Sequence, residues 1–334
     1  MKKDWRIILA LVFLSVLNSN CISFSSSSET KETQEQSKFY NLGNQYAQDG
    51  LFREAANSYR NELLINPQNM AALRNLGIVY VKIGDYKKAI TYLKKSQKKF
   101  RDTYEVNYYL GEAYRAEEMY DDAIYHYRKA LEINNNDIKA TKALTWSYYK
   151  SRKYDEALKI TKTLRKNYPN DPQVSIITSR IFLKTGEAQK ALAIIRRAEA
   201  LAKKDVLPLL QSVEGDILIE MKQYNNAQEV YKNALKEEPL LAGALLGLGK
   251  CLLMQNINLD QAVTYIERAT RIKPQLVEGY YLLGKAYEQT APQKAKQYYV
   301  KFKEQASTDP EFSEQIIQAK QKITSFSDQN QAKE

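Results

Sequence analysis

Histidine is almost missing: His126 is the only one in 334 residues. Serine-type catalytic triads need an imidazole between nucleophile and carboxylate, and zinc sites draw most of their ligands from histidine and cysteine. Cysteine is limited to Cys21 and Cys251, so neither chemistry has the residues it requires, and packing rather than disulfides must hold the core. Cys251, between Lys250 and Leu252, reads as a small packing residue. Long apolar runs are lacking too. The longest, Ile7 to Leu17, has 11 residues, short of the roughly 20 that span a bilayer as a helix. A phosphate loop is also absent: in Gly243 to Lys250 the spacing of glycines fails at Ala244, and Cys251 stands where Ser or Thr is needed. Carboxylate pairs such as Asp121-Asp122 fall where helices start, a solvated position favoured by the helix dipole. The sequence therefore offers no catalytic constellation, no metal site and no cofactor site, and it leaves no block over for an enzyme domain.

What is abundant is tyrosine, 25 in all, and it is spaced. Leu42-Gly43, Leu76-Gly77 and Leu110-Gly111 recur at a step of 34 residues, each followed three positions later by Tyr46, Tyr80 or Tyr114. Twelve residues after each glycine stands Ala55, Ala89 or Ala123, and four later Tyr59, Leu93 or Tyr127. The same register continues in weaker form. Ala157 marks a fourth copy, Ala191 a fifth, Gly215 with Ala227 a sixth, Gly249 with Ala262 a seventh, and Gly284 an eighth. Thr145 and Ser179 replace the glycine in the fourth and fifth copies. Glycine or alanine is expected where two helices approach closely, since a larger side chain would overpack. Gly50 and Gly84 suit turns with left-handed backbone, and Pro67, Pro169, Pro239 and Pro274 suit helix ends.

This pattern resembles the tetratricopeptide repeat, W-x2-L-G-x2-Y, then A-x3-F, then P. Phe39, Leu42, Gly43, Tyr46, Ala55, Tyr59 and Pro67 fill its places in order in the first copy. The resemblance implies an all-α fold: an α-solenoid of about eight helix-turn-helix repeats in a right-handed superhelix. The array is expected over 38–309, in units of about 36–69, 70–103, 104–137, 138–171, 172–207, 208–241, 242–276 and 277–309. Residues 310–326 carry Phe312, Ile316, Ile317, Ala319 and Ile323 at helical spacing and read as a capping helix, because the last repeat would otherwise expose its apolar flank. Residues 327–334 have no core-forming content and read as a disordered tail.

The N-terminus reads differently. Lys2, Lys3 and Arg6 precede the apolar run, and Asn18, Ser19 and Asn20 lead into Cys21, the layout of an export signal over 1–20. A cysteine at that place resembles the bacterial lipoprotein signal, in the relaxed form of spirochaete lipoproteins, since Leu17 lies four places before it and Asn20 adjoins it. The resemblance implies lipidation at Cys21, with 21–37, rich in serine, as a tether to a membrane of the bacterial cell envelope. Cys21 as an ordinary residue beside a cleavage site is the alternative.

Within the family, the first helix of each repeat lines a concave groove that accepts peptide segments. That places Tyr40, Asn44, Arg74, Ile78, Tyr108, Glu112 and Arg115 along its early part, and Lys142, Trp146, Tyr149, Lys150, Arg180 and Lys184 in its middle. Cations beside aromatics favour an acidic or aromatic protein partner. Asn44 and Asn75 match the asparagines of the subclass that clamps chaperone tails, but Tyr40, Glu105 and Tyr109 replace its basic residues. Net charge is +11, and Lys94, Lys95, Lys98, Lys99 and Arg101 cluster on one second helix and its end, a surface for anionic lipid or an acidic partner, or a solvated face. The sequence thus predicts a non-enzymatic, membrane-tethered scaffold for protein partners. An envelope carrier of glycan or lipid is the alternative, and nucleic-acid binding a remote one at odds with export.

Overall fold

The computed structural model of the protein describes residues 38–97, 103–306 and 310–331. Over these residues it contains seventeen α-helices, one 3-10 turn and no strand. The expectations for 1–37, including Cys21, lie outside the described residues, as do Lys98, Lys99, Arg101 and residues 332–334. Two compact units are present, one ending at Lys153 and one starting at Tyr154.

In the first unit, α1 (Lys38–Gln48) pairs with α2 (Phe52–Ile65), α3 (Met70–Ile83) with α4 (Tyr86–Gln97), and α5 (Tyr104–Ala116) with α6 (Tyr120–Ile133), while α7 (Ile138–Lys150) packs on α6. First helices start on side-chain caps: Asn69 accepts from the Ala72 amide at 3.0 Å and Asp137 from the Ala140 amide at 2.7 Å. Each such bond satisfies a donor that the helix itself leaves unpaired. First helices end on a left-handed residue. Gly50 (φ 75°) and Gly84 (φ 89°) fill that place in the first two copies, but Glu118 and Arg152 hold it in the next two at φ 60° and 59°. The following amide then bonds back five residues, Leu51 N–H to Tyr46 carbonyl at 2.8 Å and Met119 N–H to Tyr114 carbonyl at 2.9 Å. That closure turns the chain sharply enough to lay the second helix antiparallel on the first.

The second unit opens with α8 (Tyr154–Asn167) and continues with paired helices: α9 (Pro172–Lys184) and α10 (Ala188–Glu199), α11 (Leu207–Glu220) and α12 (Tyr224–Glu237), α13 (Ala242–Gln255) and α14 (Leu259–Ile272), α15 (Val277–Tyr287) and α16 (Pro292–Ala306). A 3-10 turn (Pro310–Phe312) leads into α17 (Ser313–Gln331). This last helix packs on α16, and with Phe312 of the turn its Ile316, Ile323 and Phe326 cover Phe302 and Ala306. It runs past Phe326 to Gln331, so residues 327–331, read from sequence as tail, are helical.

Glycine sits where a second-helix side chain needs the room. A methyl on Gly43 would lie 2.6 Å from the Tyr59 ring and one on Gly111 2.7 Å from the Tyr127 ring, and Gly77, Gly215, Gly249 and Gly284 receive Leu93, Tyr231, Ile266 and Tyr299 in the same way. Ala55, Ala89, Ala123, Ala157, Ala191, Ala227 and Ala262 are fully buried on the second helices. Where glycine is lost, a small hydroxyl folds back on its own helix: Ser179 donates to the Ser175 carbonyl at 2.8 Å, and Ala191 O also lies 3.2 Å away.

Carboxylates are buried at two places among the described residues, Glu62 on α2 and Glu214 on α11. Between α10 and α11, Glu214 is buried and accepts from Arg196 Nε at 2.8 Å. Beside it, burial and then the Glu214 carboxylate push Glu199 up to about 8, against the pull of Arg196. A carboxyl raised this far favours its protonated form near neutral pH.

Candidate binding faces

The first helices of the first unit present a polar face whose members are tied to one another. Asn44 Oδ1 accepts from Tyr59 OH at 2.6 Å and from Asn75 Nδ2 at 3.0 Å; Asn75 Nδ2 also lies 3.3 Å from Tyr40 OH, and Arg74 Nε lies 3.3 Å from Asn75 Oδ1. Tyr40 and Asn75 are buried. Next along the face, Glu112 accepts from Arg115 at 2.8 Å and from Tyr127 OH, and Arg115 Nε reaches the same hydroxyl at 3.2 Å. Burial works against the Arg115 charge, but Glu112 outweighs it and raises its proton affinity. Tyr108 rests its ring on Tyr104, Tyr109 and Tyr127. On α7, Trp146 and Tyr149 lie 5.2 Å apart, with Tyr149 buried and Lys142, Trp146 and Lys150 half-buried.

The second unit holds a cavity of about 590 Å³ between its first helices and the turns that precede them. Its walls are aliphatic, from Leu183, Leu209, Ile219, Leu246 and Leu276, and seven charged residues of both signs stand among them: Arg180, Lys250 and Lys273 with Asp216, Glu220, Glu238 and Glu278. Lys250 Nζ and Glu278 Oε1 pair at 2.7 Å. Burial opposes the lysine's charge, yet Glu278 prevails and raises its proton affinity. Asp216 accepts from Tyr231 OH at 2.7 Å. Its carboxyl is open to water but crowded by the walls, and that desolvation raises it above the usual carboxylate range although the tyrosine hydroxyl pulls the other way. Lys184, on the same helix as Arg180, is exposed and pairs with Glu311 at 2.7 Å.

Asp216 and Tyr231 belong to a device repeated along the chain. The residue after the repeat glycine is Asn44, Ile78, Glu112, Trp146, Arg180, Asp216 and Lys250 in the first seven copies. In the first, third and sixth, the second-helix residue lodged at the glycine is tyrosine, and its hydroxyl emerges beside that next residue, which is an acceptor each time. In the other four the lodged residue lacks a phenol, being Leu93, Thr161, Ile195 or Ile266, and the next residue is apolar or cationic. In these three copies tyrosine does two jobs: its ring fills the glycine notch and its hydroxyl fixes the binding-face acceptor, whereas in the eighth copy Lys285 follows the glycine and the hydroxyl of the lodged Tyr299 reaches Glu288.

Of the residues expected on a groove, Tyr40, Asn44, Arg74, Tyr108 and Arg115 join two internal networks of the first unit, and Lys142, Trp146, Tyr149 and Lys150 share α7. Arg180 lines the second unit's cavity while Lys184 pairs with the segment before α17. Sequence reasoning passed over Asp216, Lys250 and Glu278. Carrying the register of Asn44 and Glu112 across the two residues inserted before the sixth copy finds the first two; Glu278 carries no such signal. His126 is buried, stacked on Tyr114, 3.0 Å from Asn107 Oδ1, and held neutral by desolvation that lowers it to about 4. Burial pushes the Cys251 thiol up to about 12, away from nucleophilic duty. No group of metal-binding side chains occurs among the described residues.

Residues 114–181 and 218–286 match one profile of the tetratricopeptide repeat, and residues 40–101 and 75–138 match a second. The chain belongs to the tetratricopeptide repeat family. It is similar to the BBSome complex member BBS4 homolog of Drosophila melanogaster, 22% identical over 252 residues covering 72% of this chain and 51% of that protein. It is also similar to Hsp70-Hsp90 organizing protein 2 of Arabidopsis thaliana, 23% identical over 256 residues, 65% of this chain and 44% of that one. The tetratricopeptide chain therefore spans about half the length, or less, of these relatives. Among solved structures, a tetratricopeptide repeat protein of Parabacteroides merdae aligns with TM-score 0.67 at 15% identity, over 74% of this chain and 97% of that one. Yeast Tom70 aligns with TM-score 0.62 at 17% identity, over 95% and 72%. Those identities speak for the fold alone. Tetratricopeptide proteins typically act in protein–protein interaction as non-catalytic scaffolds, and no enzyme family is indicated.

Proposed function

We propose that this tetratricopeptide protein is a non-enzymatic scaffold that docks an extended segment of a protein partner in the cavity of its second unit. The observation that carries this reading is the lining of that cavity. Leu183, Leu209 and Leu246 offer apolar area, while the cations Arg180, Lys250 and Lys273 and the carboxylates Asp216, Glu220, Glu238 and Glu278 offer partners for side chains and backbone amides of either polarity. A peptide supplies both kinds of group along its length, and each exchanged hydrogen bond to a charged group contributes about 1.5–3 kcal/mol. The tyrosines of the first unit, by contrast, are committed to one another and to Asn44, Asn75 and Glu112, which leaves them poorly placed to stack on a glycan. Affinity purification from cells that express the protein tests the reading. Leu209 is exposed on the cavity wall, so Leu209→Glu leaves the fold intact. A protein recovered with the parent and lost with this variant is the expected result, and an identical set of proteins from both would sink it.

The N-terminal sequence adds a location to this proposal: a lipid on Cys21 tethers the scaffold to a membrane of the bacterial envelope. Multiple acyl chains would make the attachment durable, at about 0.8 kcal/mol for each buried CH2. Cys21→Ala should then abolish fatty-acid labelling and release the protein from membranes, and unchanged labelling would remove the tether from the account.

A further inference from the structure

We infer that one end of the first unit is a second, separate contact surface, which rests on an anionic lipid bilayer. The end is defined by the hairpins. The antiparallel pairing that lodges Tyr59 on Gly43 brings Lys38, where the described chain begins, back beside the end of α2. There Leu64 and Ile65 project with 81% and 66% of their surface exposed, the two largest values among the exposed large hydrophobic side chains of the described residues.

Beside them lies an open groove of about 920 Å³ between α2, the start of α3 and the end of α4. Its floor is apolar, from Leu63, Met70 and Leu73, and its charged lining residues, Arg60 and Lys95, are both cations. No carboxylate lines it. The nearest in sequence, Glu62, is buried, and its Oε1 accepts from Asn69 Nδ2 at 2.7 Å. Lys94 stands exposed next to Lys95.

Projecting aliphatics ringed by cations are what an interface between acyl chains and anionic headgroups accepts: the alkyl groups enter the boundary layer while arginine and lysine pair with phosphate. An acidic peptide would satisfy the cations, but it gives no reason for the aliphatics to stand at the end where the chain enters. The bilayer does. The inference rests in this respect on the Cys21 tether: the 16 residues 22–37 reach at most about 55 Å when fully extended, so a lipid on Cys21 holds this end of the unit nearest the membrane.

The test uses the full chain with an environment-sensitive fluorophore at Asn61→Cys, an exposed position in the groove, and a control label at Lys232→Cys, exposed on α12. Vesicles of phosphatidylglycerol with phosphatidylcholine should shift the groove label to the blue, phosphatidylcholine alone should not, and the control label should stay unchanged. Arg60→Gln with Lys95→Gln should cut the docked fraction relative to the free fraction about thirtyfold, from two surface cations removed. Leu64→Ser with Ile65→Ser should abolish the shift. An unshifted groove label, equal shifts at both labels, or a shift that needs an added protein rather than anionic lipid would overturn the inference. Fatty-acid labelling of the parent reads the tether independently, so loss of the one is told apart from loss of the other.

Discussion

Glu199→Gln should make the protein's stability less sensitive to pH between about 4.5 and 8. In the folded chain burial and the neighbouring Glu214 raise the Glu199 carboxyl from 4.5 to about 8. A group whose proton affinity is higher folded than unfolded contributes stability that is complete below its unfolded value, here 4.5, and is lost as pH climbs through 8. That difference corresponds to at most about 5 kcal/mol, at about 1.4 kcal/mol per tenfold change in proton affinity. Residual access of water to Glu199 and the charge of Arg196 bring the expected loss down to about 2–3 kcal/mol. Glutamine keeps the shape and can donate an amide hydrogen to Glu214, but it does not ionise. Urea unfolding followed by circular dichroism at pH 4, 6, 7.5 and 9 should therefore show parent and variant close together at pH 4, already about 1 kcal/mol apart at pH 6, and the variant about 2–3 kcal/mol more stable at pH 9. Repeat arrays can open in stages, so amide exchange in α10 and α11 over the same pH range supplies the local readout. Parallel pH curves for the two proteins would refute the raised Glu199 carboxyl.

Three further outcomes follow from the packing. Gly111→Ala should cost about 1–3 kcal/mol in chemical denaturation, because the new methyl meets the Tyr127 ring within 2.7 Å and that ring is fully enclosed; a neutral result would mean the notch has slack. Lys222→Gly, at a turn residue with φ 59°, should raise the thermal midpoint, since relief of left-handed strain worth about 1–2 kcal/mol exceeds the added freedom of the unfolded chain. A lower midpoint would contradict it. Tyr231→Phe removes the hydroxyl that Asp216 accepts at 2.7 Å and should cost about 1–2 kcal/mol while raising the Asp216 carboxyl further, seen as a higher titration midpoint by carbon NMR; an unmoved midpoint would mean the hydroxyl does not hold that carboxylate.

Much of the fold was legible because it is written as a period. Gly43, Gly77 and Gly111 each mark a close helix approach, and their 34-residue step is the length of one helical hairpin with its two turns. The left-handed turns were legible only where glycine fills them. Glu118, Arg152 and Lys222 hold the same conformation under the force of the surrounding hairpin, and nothing in an ordinary side chain announces that. The end of α17 differs from the sequence reading for a related reason: residues 327–331 carry no core-forming side chains, yet helix propagation carries them on from the packed turn at Phe326. Binding-face residues were the hardest to read. Tyr40 and Tyr149 look in sequence like ligand-facing aromatics, but tyrosine serves both packing and recognition, and here both are buried. Asp216 and Lys250 lay in the correct register and were hidden by the two-residue insertion upstream. Pairing of tyrosine at the notch with an acceptor on the face, as in Tyr59 with Asn44 and Tyr231 with Asp216, could have been found by aligning the repeats with one another.

The claim that a protein segment docks in the second unit is tested most directly by a photo-crosslinking residue at position 209, with the same residue at position 232 on α12 as control, irradiated in living cells. A discrete protein adduct at 209, mapped by mass spectrometry to one extended stretch of the partner and absent at 232, is the predicted result. Adducts of equal yield at both positions, or none at 209 while the protein still performs its role in the cell, would contradict it.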